Sequence, residues 1–206
     1  MTWPTQLPLI AILRGIRPDE ALAHAGALID AGFDAIEVPL NSPDWQRSVA
    51  DVVARFGDRA LVGGGTVLKP ADVDALIEAG GKLVVTPNTR PSLIRYAVER
   101  GLRVAAGFAT ASEAFDALEA GAQALKLFPA TTYGSGHVKA LRAVLPAGVP
   151  LFAVGGITPA NLGEYLAAGC LGAGLGSDLY KPGQDLARTT QMARAFVDAL
   201  KAARGR

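Results

Sequence analysis

The chain is poor in cysteine, histidine and aromatic residues, and neither sign of charge predominates. A lone cysteine, Cys170, excludes an internal disulfide and a thiolate-held metal cluster, and is expected of a protein in the reducing cytoplasm. Lysine and arginine number 20 against 19 acidic residues, a formal net charge of +1 that is dispersed along the sequence. That balance leaves no electrostatic footprint for nucleic acid or an anionic membrane, so the expected partner is a small molecule. No apolar run approaches the roughly 20 residues a membrane-spanning helix needs. Prolines at positions 4 and 8, with no basic stretch ahead of an apolar one, argue against a signal peptide over Met1 to Leu9. The two histidines, His24 and His137, have no carboxylate cluster beside them at ligand spacing. Both are expected to be surface or capping residues, and no metal is expected. Cys170, just behind a helix-ending glycine, is expected to be a small buried filler.

What the chain does have is apolar residues, which make up 50% of its 206 positions, enough for one well-buried domain spanning residues 1–206. Strand-length apolar runs recur at Leu9 to Leu13, Ala35 to Val38, Ala60 to Val62, Leu83 to Val85, Leu102 to Ala106, Ala124 to Phe128, Leu151 to Val154 and Gly172 to Leu175. Between consecutive runs lie helical patterns such as Glu20 to Ile29. Eight such units predict a parallel sheet with helical crossovers, and closing it into a (β/α)8 TIM barrel satisfies them best; an open doubly wound sheet is the alternative. An internal repeat supports the reading. Ala31-Gly32, Ala79-Gly80, Ala120-Gly121 and Ala168-Gly169 each end a helix just before a strand, with the glycine as a positive-φ cap. Helix starts are expected at Pro18-Asp19-Glu20, Ser112-Glu113 and Thr158-Pro159, and a terminal helix over 188–206.

Two charged residues fall inside strands. Aligning the repeats on their capping glycines puts Glu37 of the second strand and Lys126 of the sixth at the same offset. Strand parity groups Ala124, Lys126 and Phe128 on one face and Leu125 and Leu127 on the other; it likewise separates Ala35, Glu37 and Pro39 from Ile36 and Val38. The aliphatic face must meet the helices, so both charges point into the barrel, toward the strand ends where such barrels keep their active sites. A lysine held there is costly unless its pKa falls or it finds a partner. A lowered pKa makes it a nucleophile, so Lys126 is the candidate Schiff-base former and Glu37 its acid/base partner. A buried ion pair without a catalytic part is the competing explanation. Of the other lysines, Lys69, Lys139 and Lys181 fall in loops or helices, Lys82 at a strand start and Lys201 in the tail. Arg14 ends the first strand on the parity of Ile10 and Ile12, and its planar fork suits a substrate carboxylate; a surface cation is the alternative.

Two glycine turns follow the last strands, Val154-Gly155-Gly156-Ile157 and Leu175-Gly176-Ser177-Asp178. Barrels often bind phosphate at this position, because glycine lets backbone N–H groups approach an anion; simple tight turns would look the same. The turn Gly63-Gly64-Gly65-Thr66 would open the cavity, and the Thr66 hydroxyl could contact substrate.

Taken together, Pro8 to Gly15, Glu37 within Ile-Glu-Val-Pro-Leu, Gly-Gly-Gly-Thr-Val-Leu ending at Leu68, Val85-Thr86-Pro87-Asn88, Leu125-Lys126-Leu127-Phe128-Pro129 and Val154-Gly155-Gly156 resemble the KDPG/KHG aldolase family over essentially the whole chain. The resemblance implies a homotrimeric class I aldolase that forms a Schiff base to pyruvate, uses a glutamate as acid/base and needs no metal or other cofactor. It places Lys126 and Glu37 in those roles, Arg14 and Thr66 around the pyruvate part, Phe128 beside it and Pro87 in the same pocket. Gly155, Gly156 and Ser177 would hold the phosphate, with Gly176 a further substrate-binding candidate in the same turn. Two departures from the commoner pattern stand out: Asn41-Ser42 where Arg-Thr is usual, and Val154 where a threonine is usual. They look like the branch acting on the galacto epimer, 2-dehydro-3-deoxy-6-phosphogalactonate, with pyruvate and D-glyceraldehyde 3-phosphate as products. Without an arginine at position 41, Arg14 or backbone donors would take more of the carboxylate. The rivals are a KDPG aldolase of the same family acting on the gluco epimer, a metal-dependent barrel lyase, a sugar-phosphate epimerase, and a catalytically silent phosphate-binding barrel.

Overall fold

The computed structural model describes residues 3–205, within which eight strands alternate with eight helices. The first half runs β1 (Leu9–Ile12), α1 (Pro18–Asp30), β2 (Ala35–Pro39), α2 (Trp45–Phe56), β3 (Leu61–Gly65), α3 (Pro70–Glu78), β4 (Leu83–Val85) and α4 (Pro91–Glu99). The second runs β5 (Arg103–Phe108), α5 (Ala111–Glu119), β6 (Ala124–Leu127), α6 (Ala130–Arg142), β7 (Leu151–Val154), α7 (Leu162–Ala167), β8 (Gly172–Leu175) and α8 (Leu186–Arg204). All strands are parallel and pair in chain order, and β8 pairs with β1, so the sheet is a closed (β/α)8 barrel rather than an open one.

Strand parity divides the apolar residues into two cores, as the alternation of side chains requires. Ile10, Ile12, Ala35, Leu83, Val85, Ala105, Ala124, Phe152 and Val154 fill the barrel, with Trp3 stacked edge-on against Phe152, ring centroids 5.1 Å apart. Ile36, Val38, Leu125 and Leu127 face outward into the larger core beneath the helices. Glu37 and Lys126 are therefore the polar members of the inner set, opposite Gly63 on β3 and Gly107 on β5 respectively.

The capping glycines behave as expected: Gly32, Gly80, Gly121 and Gly169 all have positive φ. Several boundaries differ. Strand β3 continues through Gly65 instead of ending at Val62, because its three glycines stay in register with both neighbours. Leu13, Leu102 and Phe128 fall outside their strands, and the last helix starts at Leu186, capped by the Asp185 side chain on Arg188 N–H. The cap of α5 is Thr110, two residues before Ser112, exchanging hydrogen bonds with Glu113. Thr158-Pro159 does not open α7: Thr158 and Asn161 bond to each other's backbone, and the helix begins only at Leu162. His24 is buried at 4% exposure rather than on the surface, because α1 packs against α8 and the ring finds Thr189 there. His137 lies in α6 with Nε2 on the Ala109 carbonyl at 2.6 Å, and Cys170 is buried as expected.

Candidate active site

Lys126 and Glu37 reach the barrel interior because each occupies an inward position flanked by outward aliphatic ones. They are 6% and 2% exposed. Room for the Glu37 carboxylate comes from β3, where a methyl group at Gly65 would fall directly on its Oε2. A Gly-Gly-Gly strand has little intrinsic stability, but any side chain at this register would displace the acid. On the other side of Lys126, Gly107 lets the Pro87 backbone lie against β5, and Thr86 fixes that crossing by accepting from Gly107 N–H at 3.0 Å and donating to the Asn88 carbonyl at 2.7 Å.

The two groups do not form a salt bridge, so the closed ion pair considered above is not what the barrel holds. They act on each other through the intervening interior. Burial pushes the Glu37 carboxyl above its usual range, with Lys126 and Arg14 pulling it back. Burial likewise pulls the Lys126 amine below its usual value; Glu37 opposes this and Arg14 adds to it. Both directions favour an uncharged amine beside an uncharged acid, the protonation state that suits attack on a carbonyl and donation to a departing hydroxyl.

Above the pair opens a cavity of about 450 Å³ at the C-terminal end of the strands. Arg14, Thr66, Pro87, Lys126, Phe128, Val154, Gly155, Gly156, Gly176 and Ser177 all line it, so every candidate site residue except Glu37 is on its wall, and Glu37 lies beneath. The Lys126 nitrogen is 5.3 Å from the centroid of Phe128, whose half-exposed ring covers the amine. Gly155 and Gly156 both have positive φ, and a methyl at Gly156 would strike the Thr131 side chain. That turn is a glycine turn by necessity.

Arg14 is fixed rather than free. One terminal nitrogen donates to Asn41 Oδ1 at 2.7 Å, and the other reaches Thr66 Oγ1 at 3.4 Å. Thr66 itself holds φ at 58°, an uncommon value for a non-glycine residue. Ser42 accepts from Gly15 N–H at 2.9 Å, so the Asn41-Ser42 pair braces the loop that carries Arg14. Sequence reasoning missed this role for Asn41, and it missed Tyr180, Lys181 and Pro182, which complete the wall after β8. No periodicity marks these loop residues. Among the described residues no group of three or more His, Cys, Asp or Glu is arranged to hold a metal ion, and no helix is long and apolar enough to cross a membrane.

A closed parallel barrel with a buried amine and a buried acid under a glycine-turned mouth has the parts of an imine-forming carbon–carbon lyase. The chain belongs to the KDPG and KHG aldolase family, whose family model matches residues 3–192. It is 61% identical to the 2-dehydro-3-deoxy-6-phosphogalactonate aldolase of Escherichia coli (strain K12), covering 98% of this chain and 99% of that one. It is 46% identical to a probable 2-dehydro-3-deoxy-6-phosphogalactonate aldolase of Rhizobium meliloti (strain 1021), over 98% and 95%. The solved "Native KDPGal structure" matches with a TM-score of 0.99 at 60% identity, covering 100% of both chains. The protein is thus an aldolase, an aldehyde-lyase built on a (β/α)8 barrel.

Proposed function

We propose that this aldolase cleaves 2-dehydro-3-deoxy-6-phosphogalactonate to pyruvate and D-glyceraldehyde 3-phosphate through a Schiff base on Lys126, in D-galactonate degradation. The observation that carries the proposal is the burial of Lys126 and Glu37 in one apolar interior, each pushed toward its uncharged form, with Lys126 on the wall of the cavity of about 450 Å³ that the two glycine turns also line. The neutral Lys126 nitrogen attacks the C2 ketone, and Glu37, directly or through a water, protonates the carbinolamine hydroxyl so that it leaves as water. The resulting protonated imine withdraws electrons from C3. Glu37 or its water takes the C4 hydroxyl proton, the C3–C4 bond breaks, and the aldehyde departs. Protonation of the enamine at C3 and hydrolysis of the imine then release pyruvate and the free amine.

Arg14, held by Asn41 and Thr66, supplies the charge for the substrate carboxylate in place of an arginine at position 41. Phe128 and Pro87 confine the pyruvate part. The turns Gly155-Gly156 and Gly176-Ser177 take the phosphate. No step calls for a metal or another cofactor. The working assembly is a homotrimer, the state the sequence resemblance implies, and its place is the cytoplasm, in keeping with its single buried thiol. Val154, an apolar residue 4% exposed on the cavity wall, offers no hydroxyl to either epimeric substrate. The test is a comparison of cleavage rates on the galacto and gluco epimers, with Lys126→Ala as the control. Faster cleavage of the galacto epimer and loss of both activities in the variant are expected; a clear preference for the gluco epimer overturns the substrate assignment, and a fully active variant overturns the mechanism.

A further inference from the structure

The segment after β8 is anchored by a side chain with no part in the chemistry above. Tyr180 is 2% exposed, and its hydroxyl donates to Glu20 Oε1 at 3.0 Å. Burial, with the Glu20 carboxylate, raises the phenol pKa and keeps it a donor. The same Glu20 oxygen accepts from Arg17 N–H at 3.2 Å, so one carboxylate ties Tyr180 to the first turn of α1, shortly after the loop that bears Arg14. The Tyr180 ring lies edge-on to His24, centroids 5.0 Å apart, and His24 Nδ1 is 2.9 Å from Thr189 Oγ1. Gln184 Nε2 donates to Thr189 Oγ1 and to the Leu179 carbonyl, each at 2.9 Å.

The main chain completes the anchor. Leu179 and Tyr180 N–H groups both donate to the Gly176 carbonyl at 2.9 Å, closing the turn that presents Ser177 and Asp178 to the cavity. Two residues beyond Tyr180, Pro182 is pressed against the loop after β1: a methyl group on Gly15 would lie 2.7 Å from its Cγ.

We infer that Tyr180 is a positioning residue for the phosphate end of the site: bonded to Glu20, it sets the Gly176-Ser177 turn against the Gly155-Gly156 turn and Arg14. The inference rests on the assignment of phosphate to those two turns. A set of backbone donors recognises an anion only when all converge on it, and a small displacement of one turn weakens the whole set. The imine chemistry is centred on Lys126 of β6, not on these turns. Loss of the Tyr180–Glu20 bond therefore weakens recognition of the phosphorylated aldehyde without the same effect on an aldehyde that lacks the phosphate.

The experiment is aldol addition of pyruvate to D-glyceraldehyde 3-phosphate or to unphosphorylated D-glyceraldehyde, using the full chain and its Tyr180→Phe and Glu20→Gln variants. In Tyr180→Phe, KM for the phosphorylated acceptor rises roughly three- to tenfold, the scale of one lost hydrogen bond. Its kcat stays within about twofold, and KM for the unphosphorylated acceptor stays put. Glu20→Gln, which keeps an acceptor oxygen, holds KM near that of the parent protein. An unchanged KM for the phosphorylated acceptor in Tyr180→Phe overturns the inference, as does an equal loss on both acceptors, which would make the residue a general support of the fold. Ser177→Asp separates the inference from its premise. If that variant keeps the preference for the phosphorylated acceptor, the phosphate assignment fails and the inference with it; if the preference collapses, Tyr180→Phe decides alone.

Discussion

At the scale of single residues, the barrel keeps two ionisable groups in surroundings that favour neither charge, and the expected behaviour follows from that. Replacing Glu37 by glutamine removes the proposed proton carrier but keeps the shape, so kcat should fall by about 10²- to 10⁴-fold with the fold intact, read by steady-state kinetics and circular dichroism. Lys126→Met should abolish cleavage yet raise the melting temperature, by an amount corresponding to about 1 kcal/mol or more, because a buried amine is traded for an apolar chain of similar length. Gly65→Ala should inactivate the enzyme, since the new methyl takes the volume of the Glu37 carboxylate. The buried, inward placement of Lys126 and Glu37 was legible in the sequence because a charge on the inward parity of an otherwise aliphatic strand is conspicuous. Asn41 and Tyr180 were not. Their partners, Arg14 and Glu20, are 27 and 160 positions away, and nothing in local patterning pairs them.

At the scale of elements, the eight strands and their helices were readable because glycine caps and apolar runs repeat with the same offset. Boundaries were less so where side chains or register override local preference. Strand β3 runs on through three glycines because both neighbouring strands supply hydrogen bonds, and α7 starts late because Thr158 and Asn161 satisfy each other. The contact between α1 and α8 was the least visible. It buries His24 against Tyr180 and Thr189, with Glu20 and Asp185 as the nearby acids. Burial lowers the His24 pKa, and the two acids offset that in part. The folded protein therefore favours the neutral ring more than the unfolded chain does, where the imidazole has its ordinary value of 6.5. The resulting stabilisation is fully present above that value and is lost as the pH falls through the lower folded-state value. Thermal melts across this range should show a steeper acid-side decline in the parent protein than in His24→Gln; equal slopes would contradict the assignment.

At the scale of the whole molecule, the closed barrel places six of the eight strands' ends or following loops around one mouth, and the chemistry is divided across it. The buried amine and acid lie on β6 and β2, the proposed carboxylate receptor follows β1, and the proposed phosphate turns follow β7 and β8. Light scattering on the purified protein should give about three times the 21.2 kDa chain mass, as the proposed trimer requires, and a monomer mass would refute that assembly. The central claim is narrower, that one buried nitrogen condenses with a ketone. Its most direct test is borohydride reduction in the presence of pyruvate, followed by peptide mass analysis. The account predicts a reduced pyruvate adduct on Lys126, absent in Lys126→Met; an active enzyme that yields no adduct, or an adduct on another lysine, would contradict it.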